Sequence, residues 1–145
     1  MNLVVDSSVA AKWLFAEPDS DRAETLLQAA DAETVKLISP DILTAEIGNA
    51  IWKRVNRHDL DGKSAIEAAD YFEGICPLLY PSRDLWRPAL RLAIAYGHPL
   101  YDCLYLALAE ELPSELVTAD GRFYAVFARD FPRLRVLRDW TRPIP

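Results

Sequence analysis

The sequence is short of the residues that much metal and redox chemistry relies on. Cys76 and Cys103 are its only cysteines, and its histidines number two. Two cysteines give neither metal-ligand spacing nor a disulfide framework, so both read as reduced core residues. Two histidines leave little material for a histidine-based metal site or a Ser-His-Asp triad. No linker, repeat or low-complexity tract interrupts the chain, and no apolar run approaches the roughly 20 residues that a membrane span needs. The first residues, Met1-Asn2-Leu3-Val4-Val5-Asp6, lack a basic region and a cleavable apolar run, which makes a cytoplasmic location the expectation. A basic excess is missing too: 16 Lys and Arg stand against 22 Asp and Glu, a formal net charge of −6. That balance does not support non-specific nucleic-acid binding, so any nucleic acid must be met by metal ions or local basic stripes.

What the chain does have is apolar content, 51% of 145 residues, enough for one domain with a real core. The most apolar stretch is residues 100–109, a helix candidate hydrophobic on nearly every face and therefore a core helix. Asp102 interrupts it in the first turn. A carboxylate carried inside must be paired, hydrogen-bonded, protonated or metal-bound, although an acid at a helix start is also ordinary dipole chemistry.

Read in order, Leu3-Val4-Val5 is a short strand ending at Asp6, and Ser7-Ser8 leads into a helix with Val9, Ala10, Trp13 and Leu14. Asp6 thus sits at the carboxyl end of a strand, where open α/β sheets bind ligands; a local helix cap would also account for it. A second helix is expected over 19–30, with Ala23, Leu26, Leu27 and Ala30 inward, and a strand over 37–39 ended by Pro40. Asp41 is the expected cap of a third helix running to about Arg57, with Leu43, Ile47, Ala50, Ile51 and Val55 buried. At about 100° per residue, Glu46, Asn49, Lys53 and Arg57 line one edge of it. A solvated face matched to the helix dipole is the plain account of that stripe. A fourth helix over 64–73 completes a helical hairpin at about 41–74.

Residues 78–80 suggest another strand. Asp84 is the expected cap of a fifth helix, since Pro88 is tolerated only in a first turn, and Leu90, Ala93, Ile94 and Tyr96 carry that helix to Gly97. Arg83, Arg87 and Arg91 beside it read as solvated. After the helix over 100–109, Leu116-Val117-Thr118 is a strand that Ala119-Asp120-Gly121 turns into a last helix, and Asp-Gly is itself a common turn former. Residues 134–137 form an edge strand, and 138–145 a short tail. Strands alternating with helices imply right-handed crossovers and a parallel sheet covered on both faces. On such a frame Asp6 and Asp120 leave strand ends while Glu46 and Asp102 enter from first turns of helices, so the four can converge. Clustered carboxylates repel and need cations, and all-oxygen ligands select magnesium or manganese. Two such ions add +4, taking the formal charge from −6 to −2.

Over almost its whole length the chain resembles the PIN-domain ribonucleases, most closely the VapC-type toxins of toxin–antitoxin pairs. The pieces that carry the likeness are Val4-Val5-Asp6-Ser7-Ser8, Ala45-Glu46-Ile47-Gly48-Asn49-Ala50, Tyr101-Asp102-Cys103-Leu104-Tyr105-Leu106-Ala107 and Leu116-Val117-Thr118-Ala119-Asp120. The resemblance implies a single PIN-like domain over 1–145, three-layer α/β/α, with a central, mainly parallel sheet of four to five strands. It implies Asp6, Glu46, Asp102 and Asp120 as the acidic Mg2+ or Mn2+ site, with Ser8 and Thr118 as supporting hydroxyls. It also implies an RNA substrate, a small antitoxin protein and a homodimer. Asn49, Lys53 and Arg57 are the candidate RNA-binding residues, because an acidic protein needs a local cationic track. Arg57 lies roughly 16 Å along the helix from Glu46, about two to three nucleotides. A catalytically inactive PIN-fold module that binds RNA or protein is the alternative. An aspartyl-phosphate phosphatase would need a second Asp two residues after the first, where Ser8 stands.

Overall fold

The computed structural model describes residues 1–142 and centres on β1 (Asn2–Val5). Leu3, Val4 and Val5 have no solvent exposure. Successive strand side chains point to opposite faces, so β1 is covered above and below, as a central strand of a parallel sheet must be. The other strands are β2 (Lys36–Pro40), β3 (Leu78–Tyr80), β4 (Glu115–Thr118) and β5 (Leu134–Val136). They form one five-stranded sheet in the order β3-β2-β1-β4-β5, and every pairing is parallel. The expected sheet is therefore present at its upper strand number and is parallel throughout.

Among the described residues seven α-helices connect and cover it: α1 (Ser7–Leu14), α2 (Ser20–Asp31), α3 (Ile42–Asn56), α4 (Gly62–Ile75), α5 (Trp86–Tyr96), α6 (Leu100–Glu111) and α7 (Gly121–Phe127). Every residue of α6 from Cys103 to Ala109 is buried, and the helix lies across β1, β2 and β4 with α5 packed on it. That placement is the physical reason its sequence is apolar all round. α3 packs against α4 and α1. Among the described residues no helix is long and apolar enough to cross a membrane.

Chain order makes the site. From β1 the chain moves outward through β2 to β3, then returns to the other side of β1 as β4 and continues to β5. The connections leaving β1 and β4 diverge, which opens a crevice beyond their carboxyl ends, the usual ligand position in open α/β sheets.

Several expected helix starts are built differently. Asp41 has helical backbone angles and no capping bond. Its carboxylate instead accepts from the Ser82 backbone N–H at 3.0 Å and the Ser82 hydroxyl, tying the end of β2 to the turn after β3. Asp84 belongs to a 3-10 turn, Ser82–Asp84, and Leu85 is the residue before α5; Pro88 still falls in that helix's first turn, as it must. Asp19 takes a left-handed φ of 66° without a side-chain cap, and Ala29 rather than Ala30 is fully buried on α2. On α5 the buried position is Ala89, whereas Leu90 and Ile94 are 40% and 75% exposed. A lone helix pattern does not reveal which apolar stripe faces the sheet when both sides carry one. The last strand stops at Val136, a 3-10 turn follows over Leu137–Asp139, and Trp140 is buried. The rest of the expected tail, residues 143–145, lies outside the described residues.

Candidate metal centre and active site

Asp6 follows β1 directly, caps α1 and is the first acid of the candidate site. Its Oδ1 accepts from the Val9 backbone N–H at 3.2 Å, capping α1, and from the Ser8 hydroxyl at 2.6 Å. Its Oδ2 accepts from the Thr118 hydroxyl at 2.5 Å. Each hydroxyl is held in turn by a backbone donor beyond β4, the Ala119 N–H on Ser8 Oγ and the Asp120 N–H on Thr118 Oγ1. The ends of β1 and β4 are thereby laced together around one carboxylate 3% exposed. Burial pushes its carboxyl from 3.8 up to about 7; the bonds from Ser8, Thr118 and Val9 pull the other way, and the nearby charge of Asp102 pushes up again.

Glu46 enters from α3, half-buried, and its Oε1 accepts from the Tyr105 hydroxyl at 2.5 Å. Burial raises its carboxyl above the usual range, opposed by the Tyr105 hydrogen bond and reinforced by the charge of Asp102. Tyr105 has no exposed surface, and burial with the adjacent Glu46 drives its phenol far above its ordinary range, so it stays a donor. Asp102, in the first turn of α6, forms a 2.7 Å hydrogen bond between its Oδ2 and His98 Nε2. Asp102 acts on both Asp6 and Glu46, so three of the four acids meet electrostatically. Among the described residues no Lys or Arg is paired with any of these three.

Asp120 is placed otherwise. Its Oδ1 accepts from the Arg122 and Phe123 backbone N–H groups, capping α7, and its link to Asp6 runs through Thr118. It does not figure among the charges that act on the other acids. Among the described residues, no three Asp, Glu, His or Cys side chains converge closely enough as they stand to enclose an ion. The chemistry of the donor set nevertheless fits a hard divalent cation: the donors are all oxygen, Asp102 repels both Asp6 and Glu46, and among the described residues no Lys or Arg is paired with them. Asp6, Asp102 and Glu46 are the residues that would hold it.

His98 and Tyr105 are the polar residues of the site that sequence reading passed over. Tyr105 stands three residues after Asp102 on a buried helix, a spacing that puts both on one side of α6, so that signal was available. His98 lies four residues before Asp102 but outside the helix, and only the fold shows its ring turned toward the acid. Cys103, beside Asp102, is fully buried, and burial and that charge push its thiol up to about 11, in keeping with a reduced core residue.

Glu46, Asn49, Lys53 and Arg57 share the lining of one open cavity of about 330 Å³ with Ser7 and Arg54. Asn49, Lys53 and Arg57 are exposed. Arg54 was not anticipated: it bonds Glu17 at 2.6 Å and lies 4.1 Å over the Phe15 ring. The stripe expected on α3 therefore lines an open groove in which Glu46 is the one member of the acidic quartet.

The PIN domain family matches residues 3–127. Ribonuclease VapC3 of Pyrobaculum aerophilum is 29% identical over 138 residues, covering 92% of this chain and 98% of the relative. Among solved structures, VapC20 of Mycobacterium tuberculosis, a sarcin-ricin loop cleaving toxin, aligns with a TM-score of 0.65 at 14% identity, covering 86% of this chain and 95% of that one. VapBC2 of Rickettsia felis, solved with a DNA fragment from their promoter, gives 0.62 at 16% identity, with 94% and 97% covered. With a parallel sheet in this order, acids at its crevice and the family match over most of its length, the chain belongs to the PIN domain family.

Proposed function

We propose that this protein is a metal-dependent endoribonuclease and the toxin of a toxin–antitoxin pair. The observation that carries the reading is the crevice where the charge of Asp102 acts on both Asp6 and Glu46 while, among the described residues, no Lys or Arg is paired with any of the three. The names of the similar proteins, a ribonuclease VapC and a sarcin-ricin loop cleaving toxin, support it. A magnesium or manganese ion, when bound, would supply an activated water and offset charge on the phosphate. Asp6 and Asp102 would be its direct ligands, with the Ser8 and Thr118 hydroxyls fixing the orientation of the Asp6 carboxylate. Tyr105 occupies Oε1 of Glu46, which leaves Oε2 to accept a proton from the attacking water; a raised carboxyl suits that task. Asp120 completes the set from the α7 cap. In the hydrolysis a bond forms between the water oxygen and phosphorus, the bond from phosphorus to the 3′ oxygen breaks, and a proton ends on that oxygen.

RNA enters along the α3 edge, where Asn49, Lys53 and Arg57 line the groove. The partner is a small antitoxin that lays a helix in the same groove and brings a basic side chain to the acids. The toxin unit is a homodimer; the exposed stripe Trp86, Leu90 and Ile94 on α5 supplies an apolar surface for a second copy. The deciding experiment is cleavage of single-stranded RNA by purified protein with Mg2+, Mn2+ or EDTA, beside Asp6→Asn and Asp102→Asn. Metal-dependent cleavage lost in both variants is the expected result. Cleavage that ignores chelation, or survives either substitution, overturns the assignment, and RNA binding without cleavage would favour the inactive module.

A further inference from the structure

We infer that His98 is a positioning residue for Asp102, an inference that rests on the metal-site reading above. His98 is anchored on three sides. Gly97, at φ 60°, ends α5, and the His98 backbone N–H bonds the Ala93 carbonyl at 3.1 Å, which fixes where its Cα sits. Its ring stacks on Phe123 with centroids 5.7 Å apart and meets Phe127 edge-on at 5.2 Å. Only 8% of the side chain is exposed. With backbone and ring both held, Nε2 has one direction available, and it donates to Asp102 Oδ2 at 2.7 Å.

Asp102 needs such a partner. Its side chain is 29% exposed, and among the described residues no other group bonds its carboxylate. Asp6 and Glu46 repel it, so an untethered Asp102 would rotate toward solvent. The His98 bond opposes that rotation and leaves the other carboxylate oxygen for a cation. A hydrogen bond behind a ligating carboxylate orients the ligand and raises its affinity for metal. Phe123 belongs to α7, whose first N–H groups Asp120 caps, so the same ring stack joins His98, and through it Asp102, to the helix that Asp120 caps.

The test is Mn2+ binding by titration calorimetry on the full chain, for wild type, His98→Phe, His98→Leu, His98→Gln and Asp102→Asn, with thermal unfolding in EDTA as the fold control. His98→Phe keeps a ring between Phe123 and Phe127 but removes the donor. His98→Leu removes both and carries the same test if the Phe variant does not fold. His98→Gln restores an N–H at similar reach. We expect the Mn2+ Kd to rise about 10- to 100-fold without the donor and to recover most of the way in His98→Gln, with RNA cleavage impaired at limiting Mn2+ more than at saturating Mn2+. Unchanged or tighter binding in a folded donorless variant overturns the inference while leaving the site reading intact. Failure of the site reading looks different: wild type binds no Mn2+, or Asp102→Asn binds it as wild type does.

Discussion

A single carboxylate, Asp6, carries three duties that pull against one another: it caps α1, laces β1 to β4 and offers charge to the crevice. Its carboxyl is raised to about 7 in the fold, against about 3.9 in an unfolded chain. Between those values the unfolded chain has lost the proton that the fold retains, so metal-free stability falls as pH rises from about 4 to 7 and levels above that. Asp6→Asn should therefore be more stable than wild type without metal at pH 8, with the difference narrowing toward pH 5; thermal unfolding in EDTA at the two pH values checks it. A variant less stable at both would mean that lacing by an anion outweighs its burial. Metal binding competes with the same proton, so Mn2+ affinity should strengthen as pH rises through about 7. Tyr105→Phe removes the donor to Glu46 at a fully buried position. We expect a loss of about 1 kcal/mol from the missing hydrogen bond and a drop in kcat with little change in KM for RNA, read by urea unfolding and steady-state kinetics.

At the scale of elements, α3 and α5 carry the surfaces that the proposed function assigns to RNA and to a second copy. The α3 edge brings exposed Lys53 and Arg57 into the groove that begins at Glu46. Replacing both with Glu should weaken binding of single-stranded RNA and flatten its salt dependence, since fewer counterions are released, while Mn2+ affinity stays the same. RNA affinity unchanged at low salt in the folded double variant would return the stripe to an ordinary solvated face. Arg54 is a poorer candidate for RNA contact because Glu17 and Phe15 already hold it. On α5, Ile94 is 75% exposed at the end of an apolar stripe, and Arg87 lies 5.5 Å over the Trp86 ring within it. Ile94→Glu should convert a dimer to a monomer in light scattering without lowering the melting temperature of the monomer; a mass that does not change would place the dimer surface elsewhere.

For the molecule as a whole, the net charge of −6 sets the terms on which, under the proposed function, it would meet RNA. A cation in the crevice would offset the field where the phosphate must come closest, and the α3 edge would offset it along the approach. Anything that binds the folded state alone raises apparent stability, by about 2.7 kcal/mol at a hundredfold excess over Kd. Wild type should accordingly melt higher in Mn2+ than in EDTA, and Asp102→Asn should show no such rise. In cells, expression of this chain by itself should arrest growth, and co-expression of a small adjacent partner should restore it; growth unaffected by the chain alone would point away from a toxin.

The sequence by itself determined most of the frame. Burial on both faces requires unbroken apolar strands such as Leu3-Val4-Val5 and an all-round apolar α6, and those patterns are legible because they repeat with the period of the backbone. Asp6 at the end of a strand and Asp102 in a first turn were readable for the same reason. Tertiary structure alone decided which partners the polar groups take, because those choices depend on residues far apart in the chain. It gave Asp41 to Ser82 rather than to its own helix, Tyr105 to Glu46 and His98 to Asp102. It set Asp120 on the α7 cap, with a link to Asp6 that runs through Thr118. It also turned Leu90 and Ile94 outward, since α6 accepts one stripe of α5 and leaves the other to solvent. Hydrophobic burial follows local periodicity, whereas a hydrogen bond needs a donor and an acceptor brought within about 3 Å, and only the packed chain brings them there.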